Sequence, residues 1–181
     1  MSESLRGQLL IASPALLDPN FRRTVVLVVA HDEDGAVGLV LNRRTEAEVA
    51  EAVPELAELV VPGALVSIGG PVQPESVVVL AEWDDADEAG AIVFDDVGLM
   101  GSEAEADRVA AATRRVRVFA GYAGWDGGQL EAELDEPSWI IEPAAVEDVF
   151  AEDGDLWSSV LRRKGGAFKL IATMPEDPSL N

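Results

Sequence analysis

The stretch from Thr24 to Leu41 constrains this chain more than any other. It opens with Thr24-Val-Val-Leu-Val-Val-Ala30, is interrupted by His31-Asp-Glu-Asp-Gly35, and resumes as Val37-Gly-Leu-Val-Leu41. A β-branched run without polar alternation suits a strand covered on both faces, which puts it at the centre of a sheet. Asp34-Gly35 between two such runs is a hairpin signal, because glycine takes positive φ at little cost. The rest of the chain must therefore supply strands to flank this hairpin and helices to cover it.

The flanking pattern supplies both. Leu9-Leu-Ile-Ala12, Leu65–Ile68, Val77–Leu80, Ala91–Phe94, Val116–Ala120 and Trp139–Ile141 read as further strands. Leu130, Ala132 and Leu134 alternate with Glu131, Glu133 and Asp135, which predicts another strand with one wet face. Thr45 with Glu48, and Ser102 with Glu105, have capping-box spacing. The first predicts a helix through about Val60, split at Pro54; the second predicts one to about Arg115. Pro143 is expected to open a helix through Phe150. Asp155 is expected to cap the last helix, with Trp157, Val160 and Leu161 buried and Gly165 as its stop. Strands and helices mix without strict βαβ alternation, so the class is α+β. There is no internal repeat or low-complexity linker, and residues 1–181 are expected to form one domain.

Composition then removes function classes. The chain has 34 acidic against 13 basic residues and a net charge of −21. The acids concentrate in residues 45–112, while residues 1–44 are neutral overall. Such a balance opposes approach to a phosphate backbone, so direct nucleic-acid binding is disfavoured. Zero cysteines exclude thiolate chemistry, and a single histidine excludes His-rich metal sites. Met1 to Arg6 lacks the order of a secretory signal, and no apolar run approaches the ~18–20 residues a bilayer span needs. The cytoplasm is the expected compartment, with no membrane partner.

No catalytic signature is present. Gly121-x-x-Gly124-x-x-Gly127-Gly128 has the wrong spacing for a dinucleotide loop, and no Gly-x-Ser-x-Gly elbow occurs. Neither a cofactor nor a metal is expected. Asp32-x-Asp34-Gly35 reads as a turn rather than a calcium loop, and Asp84, Asp85, Asp87 and Glu88 as a solvated acidic loop. His31 is read as a strand-end residue hydrogen-bonding its own hairpin, with a general-base or pH-sensing role as the alternative. Glycines beside strand ends let a ligand or another backbone approach closely, and aromatics with polar tips line half-wet pockets. On that ground Gly69, Gly70, Tyr122, Trp125, Gln129 and Glu131 are the candidate ligand-binding residues. The plainer alternative makes the glycines tight turns and the rings core cover.

At these residues the chain resembles the YqgE/AlgH family of small bacterial proteins. The resemblance rests on Gly7–Ala12 with Asp18-Pro19-Asn20-Phe21, on Val25–His31 and Gly35–Arg43, and on Gly69-Gly70-Pro71-Val72. Gly121-Tyr-Ala-Gly-Trp125 with Gly128-Gln-Leu-Glu131 is the most specific block, supported by Trp139 and Trp157. It implies a mixed sheet rolled into a bifurcated pseudo-barrel with peripheral helices. It brings no established reaction, cofactor or catalytic residue. The family is often labelled a transcriptional regulator, but the acidity here points away from DNA contact. Arg114, Arg115 and Arg117 form one candidate basic cluster that would oppose it, and Arg162-Arg163-Lys164 another, the latter explained by the negative end of its helix. Two readings follow. One is a non-catalytic regulatory or adaptor protein that acts through protein contacts. The other is a small-molecule binder, conceivably an enzyme, with its pocket between Gly70 and the Tyr122–Glu131 segment.

Overall fold

A computed structural model describes residues 4–151 and 155–175. The central hairpin is present. β2 (Val25–Asp32) and β3 (Gly35–Val40) pair antiparallel, and Val25 to Val28 are fully buried. Asp32 Oδ1 accepts the Asp34 N–H (2.8 Å), which closes the turn between them.

Around this hairpin the sheet grows in both directions. β1 (Gln8–Ala12) lies beside β2, and β10 (Trp139–Pro143) beside β1. On the other side, β3 pairs with the distal end of β9 (Thr113–Asp126), the longest strand. β9 then carries β6 (Val72–Trp83), which pairs with β8 (Val97–Leu99), which pairs with β7 (Ala91–Phe94). A branch leaves the sheet at β9, where β5 (Leu65–Ile68) pairs with it in parallel and β4 (Arg44–Glu48) pairs with β5. The sheet is therefore mixed, and it forks at β9. Its far ends curl toward each other: Gly7, just before β1, sits against Val93 and Phe94 of β7.

Three apolar clusters fill this architecture. The largest lies inside the curl, centred on Leu9, Leu27, Leu39, Leu80 and Phe119, and it is sealed by α5 (Leu156–Lys164) through Trp157, Val160 and Leu161. Trp157 also donates its indole N–H to Ala12 O (2.7 Å), fixing α5 on β1. The Asp155 cap, with its side chain accepting the Ser158 N–H (3.2 Å), and the stop at Gly165 stand as expected. A second cluster packs Trp125, Trp139 and Leu130 on the outer face of β1–β3. The third sits under α1 (Val49–Ala52), the 3-10 turn Pro54–Leu59 and α2 (Ala106–Ala112).

Several expected elements differ, each for a physical reason. Thr45 does not cap a helix; its hydroxyl donates to Val66 O (2.8 Å) and holds β4 against β5. Only the short α1 and the 3-10 turn from Pro54 remain of the predicted helix. Ser102 and Glu105 form no side-chain cap, and α2 ends at Ala112, where Thr113 begins β9. Gln129–Leu134 is the helix α3, not a strand. Over six residues Leu130 and Leu134 satisfy both periods, being two alternations apart and also one helical turn apart. Pro143 ends β10, and the helix that follows, α4 (Val146–Phe150), starts later. β8 and a final helix α6 (Phe168–Ile171) were too short to carry a periodic signal.

Candidate functional site

The six candidate residues fall into two neighbouring places rather than one pocket. Gly69, Gly70 and Tyr122 meet where β5 runs on past β9. Gly69 accepts the Val40 N–H (2.8 Å) on one side and donates to Ala120 O (2.8 Å) on the other. The approach is close enough that a Cβ on Gly70 would lie 2.2 Å from the Tyr122 carbonyl carbon, and one on Gly69 would lie 2.3 Å from Gly121 O. Gly121 itself turns with φ 74°, which offsets the faces of β9 on either side of it. Tyr122 then packs on the inner core while Ala123 and Trp125 join the outer cluster.

Trp125, Gln129 and Glu131 meet on the other side, around α3. Phe21, Trp125 and Trp139 form an aromatic trio with centroids 5.7–6.3 Å apart. Glu133 Oε1 accepts both indole N–H groups, from Trp125 (3.2 Å) and Trp139 (3.1 Å), and its other oxygen accepts from Gln129 Nε2 (3.0 Å). Gln129 Oε1 in turn accepts the Asp126 N–H (3.0 Å) and anchors the loop before α3.

His31 closes the same corner, and its two nitrogens have fixed roles. Nδ1 accepts the Leu5 N–H (2.9 Å), which leaves the ring proton on Nε2, where it is donated to the Glu131 carboxylate. The His31 side chain is 4% exposed and that of Glu131 34%. With its acceptor nitrogen occupied by the backbone, His31 has no free lone pair to offer as a general base. It straps residues 4–6 to the hairpin, helped by Ser4 Oγ donating to His31 O (3.1 Å). The hydrogen bond from His31 holds the Glu131 carboxyl below its ordinary value. A group lowered in this way stabilises the fold fully above the ordinary value of 4.5 and loses that contribution as pH falls through the lower, folded-state value. The stability difference between the native chain and Glu131→Gln is therefore expected to be flat near neutrality and to close in acid. Urea titrations across pH check this, and a difference that stays constant into acid refutes it.

The remaining charged motifs are paired internally. Arg114 reaches Asp84 (2.8 Å) and Asp96 (3.0 Å); Arg115 reaches Glu82 (2.8 Å) and Glu147 (2.9 Å). Arg163 pairs with Asp148, and Lys164 donates to Ile141 O (2.7 Å). Arg108 takes Glu88, so the acidic loop is tied down at both ends. Among the described residues, no group of three His, Asp or Glu side chains is placed to hold a metal ion. No helix among them is long and apolar enough to cross a membrane.

The family described as AlgH-like matches residues 9–169. The chain belongs to that family. It is 43% identical over 190 residues to a UPF0301 protein of Thermobifida fusca, covering 98% of this chain and 96% of that one. A crystal structure of a Corynebacterium diphtheriae protein superposes with TM-score 0.87 at 28% identity, covering 96% of this chain and 94% of the other. The solution structure of the AlgH protein from Pseudomonas aeruginosa gives TM-score 0.72 at 30% identity, covering 97% and 98%.

In this AlgH-like chain, the sequence did not reveal two residues that organise the site, Glu133 and Leu5, or the setting of a third elsewhere, Arg117. Glu133 was assigned to the wet face of a strand; on a helix it stands one turn from Gln129, and that spacing was the available signal. Leu5 contributes only its backbone N–H and left no trace in the pattern. Arg117 was grouped with Arg114 and Arg115, yet it has a different environment. Its guanidinium is largely buried, donating to Val149 O (2.7 Å), Leu41 O (2.9 Å) and Ser67 Oγ.

Proposed function

We propose that this protein is a regulatory or adaptor protein that works by docking another protein on the open face of β5–β9–β6. One observation carries the reading. Ile68, Ala120 and Val77 are register partners across these three strands, and Ile68 is 43% and Val77 48% exposed. One step along the same face, Val66, Val118 and Val79 are buried beneath α1, the 3-10 turn and α2. The cover therefore stops short, leaving an apolar row next to a sealed one. Contiguous apolar surface of this kind suits a protein contact better than solvent. The acids concentrated in residues 45–112 favour a partner with basic residues around an apolar centre.

The test is a photo-crosslinking residue placed at Val77 in cells, with Leu170 as the control. Leu170 is 74% exposed on α6 and lies outside the row. A discrete adduct above 19.2 kDa from position 77, absent from position 170, supports the reading. No adduct, or the same adducts from both positions, refutes it.

A ligand-binding role for Gly69, Gly70, Tyr122, Trp125, Gln129 and Glu131 has one observation in its favour, the partly exposed Glu131 carboxylate held by a buried histidine. The glycines lie against neighbouring backbone, Tyr122 packs on the inner core, and Trp125 and Gln129 are engaged by Glu133, which makes this the second reading.

A further inference from the structure

At the fork of the sheet a stretch of strand edge is left without a neighbour. From Thr113 to Val118, β9 is paired with β6 alone among the described residues, since β5 joins only at Phe119 and Ala120. The direction of the backbone there follows from the bonds around it. Gly69 donates to Ala120 O, so Ala120 turns its backbone toward β5, and strand alternation gives Val118 and Val116 the same direction. The far side of β6 agrees. Met100, just past β8, donates to Val79 O (3.0 Å), so Val79 turns its backbone toward β8. Val79 and its register partner Val118 are then a pair that exchanges no hydrogen bonds. The N–H and C=O of Val116 and the N–H of Val118 therefore point to the open side, and among the described residues no backbone group pairs with them there.

These groups open into a groove of about 360 Å³. The loop from Val60 to Leu65 forms the opposite wall, and Val49, Leu59 and Phe150, all buried, give an apolar floor. The loop does not fill the gap itself. It is held by its own bonds, Ala64 N–H to Val61 O (3.1 Å) and Val49 N–H to Ala64 O (2.8 Å). At strand spacings of ~3.3 Å along the chain, ~4.8 Å sideways and ~10 Å between layers, the groove seats roughly two residues of an added strand. That matches the short reach of the open edge between Val116 and Val118.

Charge does not select the occupant. Arg114 and Arg115 at the rim are paired with the carboxylates described above. Arg44 donates to Ala151 O (2.9 Å), and Arg117 is engaged by two carbonyls and a hydroxyl. The groove instead offers directed backbone groups on one wall and apolar surface beneath them, which is the chemistry of strand addition. A compact apolar molecule would meet the floor and leave those backbone groups unmatched.

We propose that the open edge of β9 takes up an extended, uncharged apolar segment of another protein as an added strand in the gap that β5 leaves. The site is the edge of β9, apart from the apolar row on the face of the sheet, and does not depend on it.

The probe is the capped peptide acetyl-Thr-Val-Val-Val-Thr-amide, titrated by NMR, with the same peptide N-methylated at its three valines as the comparison. In the free protein the Val116 amide is expected to exchange with solvent at least about tenfold faster than those of Arg115 and Arg117, which face β6. The peptide is expected to give saturable shifts at Val116, Arg117 and Val118 and to slow the Val116 amide at least about tenfold. The methylated peptide keeps the side chains without the donors, and should bind at least about tenfold more weakly. Val116→Pro removes an N–H that bonds no neighbouring strand, so this variant is expected to fold and to lose the peptide. Slow exchange of Val116 in the free protein overturns the proposal. Exchange that slows with protein concentration alone also overturns it, giving the edge to a second copy of this chain. Absence of saturable shifts, equal binding of the two peptides, or a folded Val116→Pro that binds as the native chain does would each overturn it as well.

Discussion

Gly70→Ala is expected to destabilise the fold by about 3 kcal/mol, close to the largest single-residue effect in this chain. The added methyl would stand 2.2 Å from the Tyr122 carbonyl carbon, 2.3 Å from its oxygen and 2.4 Å from Ala123 N. All three obstacles are backbone, so no side-chain rotation relieves them. The junction of β5 and β9 must open, and Gly69 sits in it with hydrogen bonds to Val40 and Ala120. For a domain of this size the midpoint of thermal unfolding should fall by roughly 6–12 °C. Gly63→Ala separates the clash from the cost of backbone conformation. Gly63 has φ 85° with nothing within 4 Å of its added Cβ, so only the conformational cost of about 1 kcal/mol applies. Denaturant titration of the two variants checks the pair. Equal losses would mean that the contact between the strands is not what demands glycine at position 70.

That junction shows what a sequence can and cannot reveal. Gly69-Gly70 and Gly121 stood out as glycines beside strand ends, and the inference of a close approach was right in kind. What approaches is the protein's own backbone, and a residue pattern does not distinguish that from a ligand. The hairpin at Asp34-Gly35 and the Asp155 cap were legible because their signals are local: a turn pair between apolar runs, and a side chain three residues from the N–H that donates to it. The capping pairs at Thr45 and Ser102 carried the same local signal and formed no cap; at Thr45 a tertiary partner outcompeted it. Thr45 finds Val66 O across a strand pair, a contact that only the fold creates. α3 was misread because six residues cannot separate the two periods, and with it the role of Glu133 was lost. His31 was legible as a strand-end residue. Its partners lie 26 residues before it and 100 residues after it, beyond any local rule.

Arg117→Ala is the second large effect, expected to cost about 3 kcal/mol. The guanidinium joins three segments distant in sequence: Leu41 after β3, Ser67 in β5 and Val149 in α4. It also lies over the Phe119 ring, 4.7 Å from the centroid, so its loss exposes or empties space above a fully buried aromatic. Removing the fork leaves two carbonyls and a hydroxyl short of a donor, each a penalty of about 1 kcal/mol or more where water cannot reach. Eliminating a desolvated charge offsets part of this. Arg117→Met apportions the remainder, since it keeps the stem over Phe119 but not the donors. A loss in Arg117→Met of about half that in Arg117→Ala would divide the cost between packing and hydrogen bonding. Arg117→Lys keeps a charge without the planar fork and is expected to fall between the native chain and Arg117→Ala. If all three variants unfold at the native denaturant midpoint with an unchanged slope, Arg117 does not hold the fork of the sheet together.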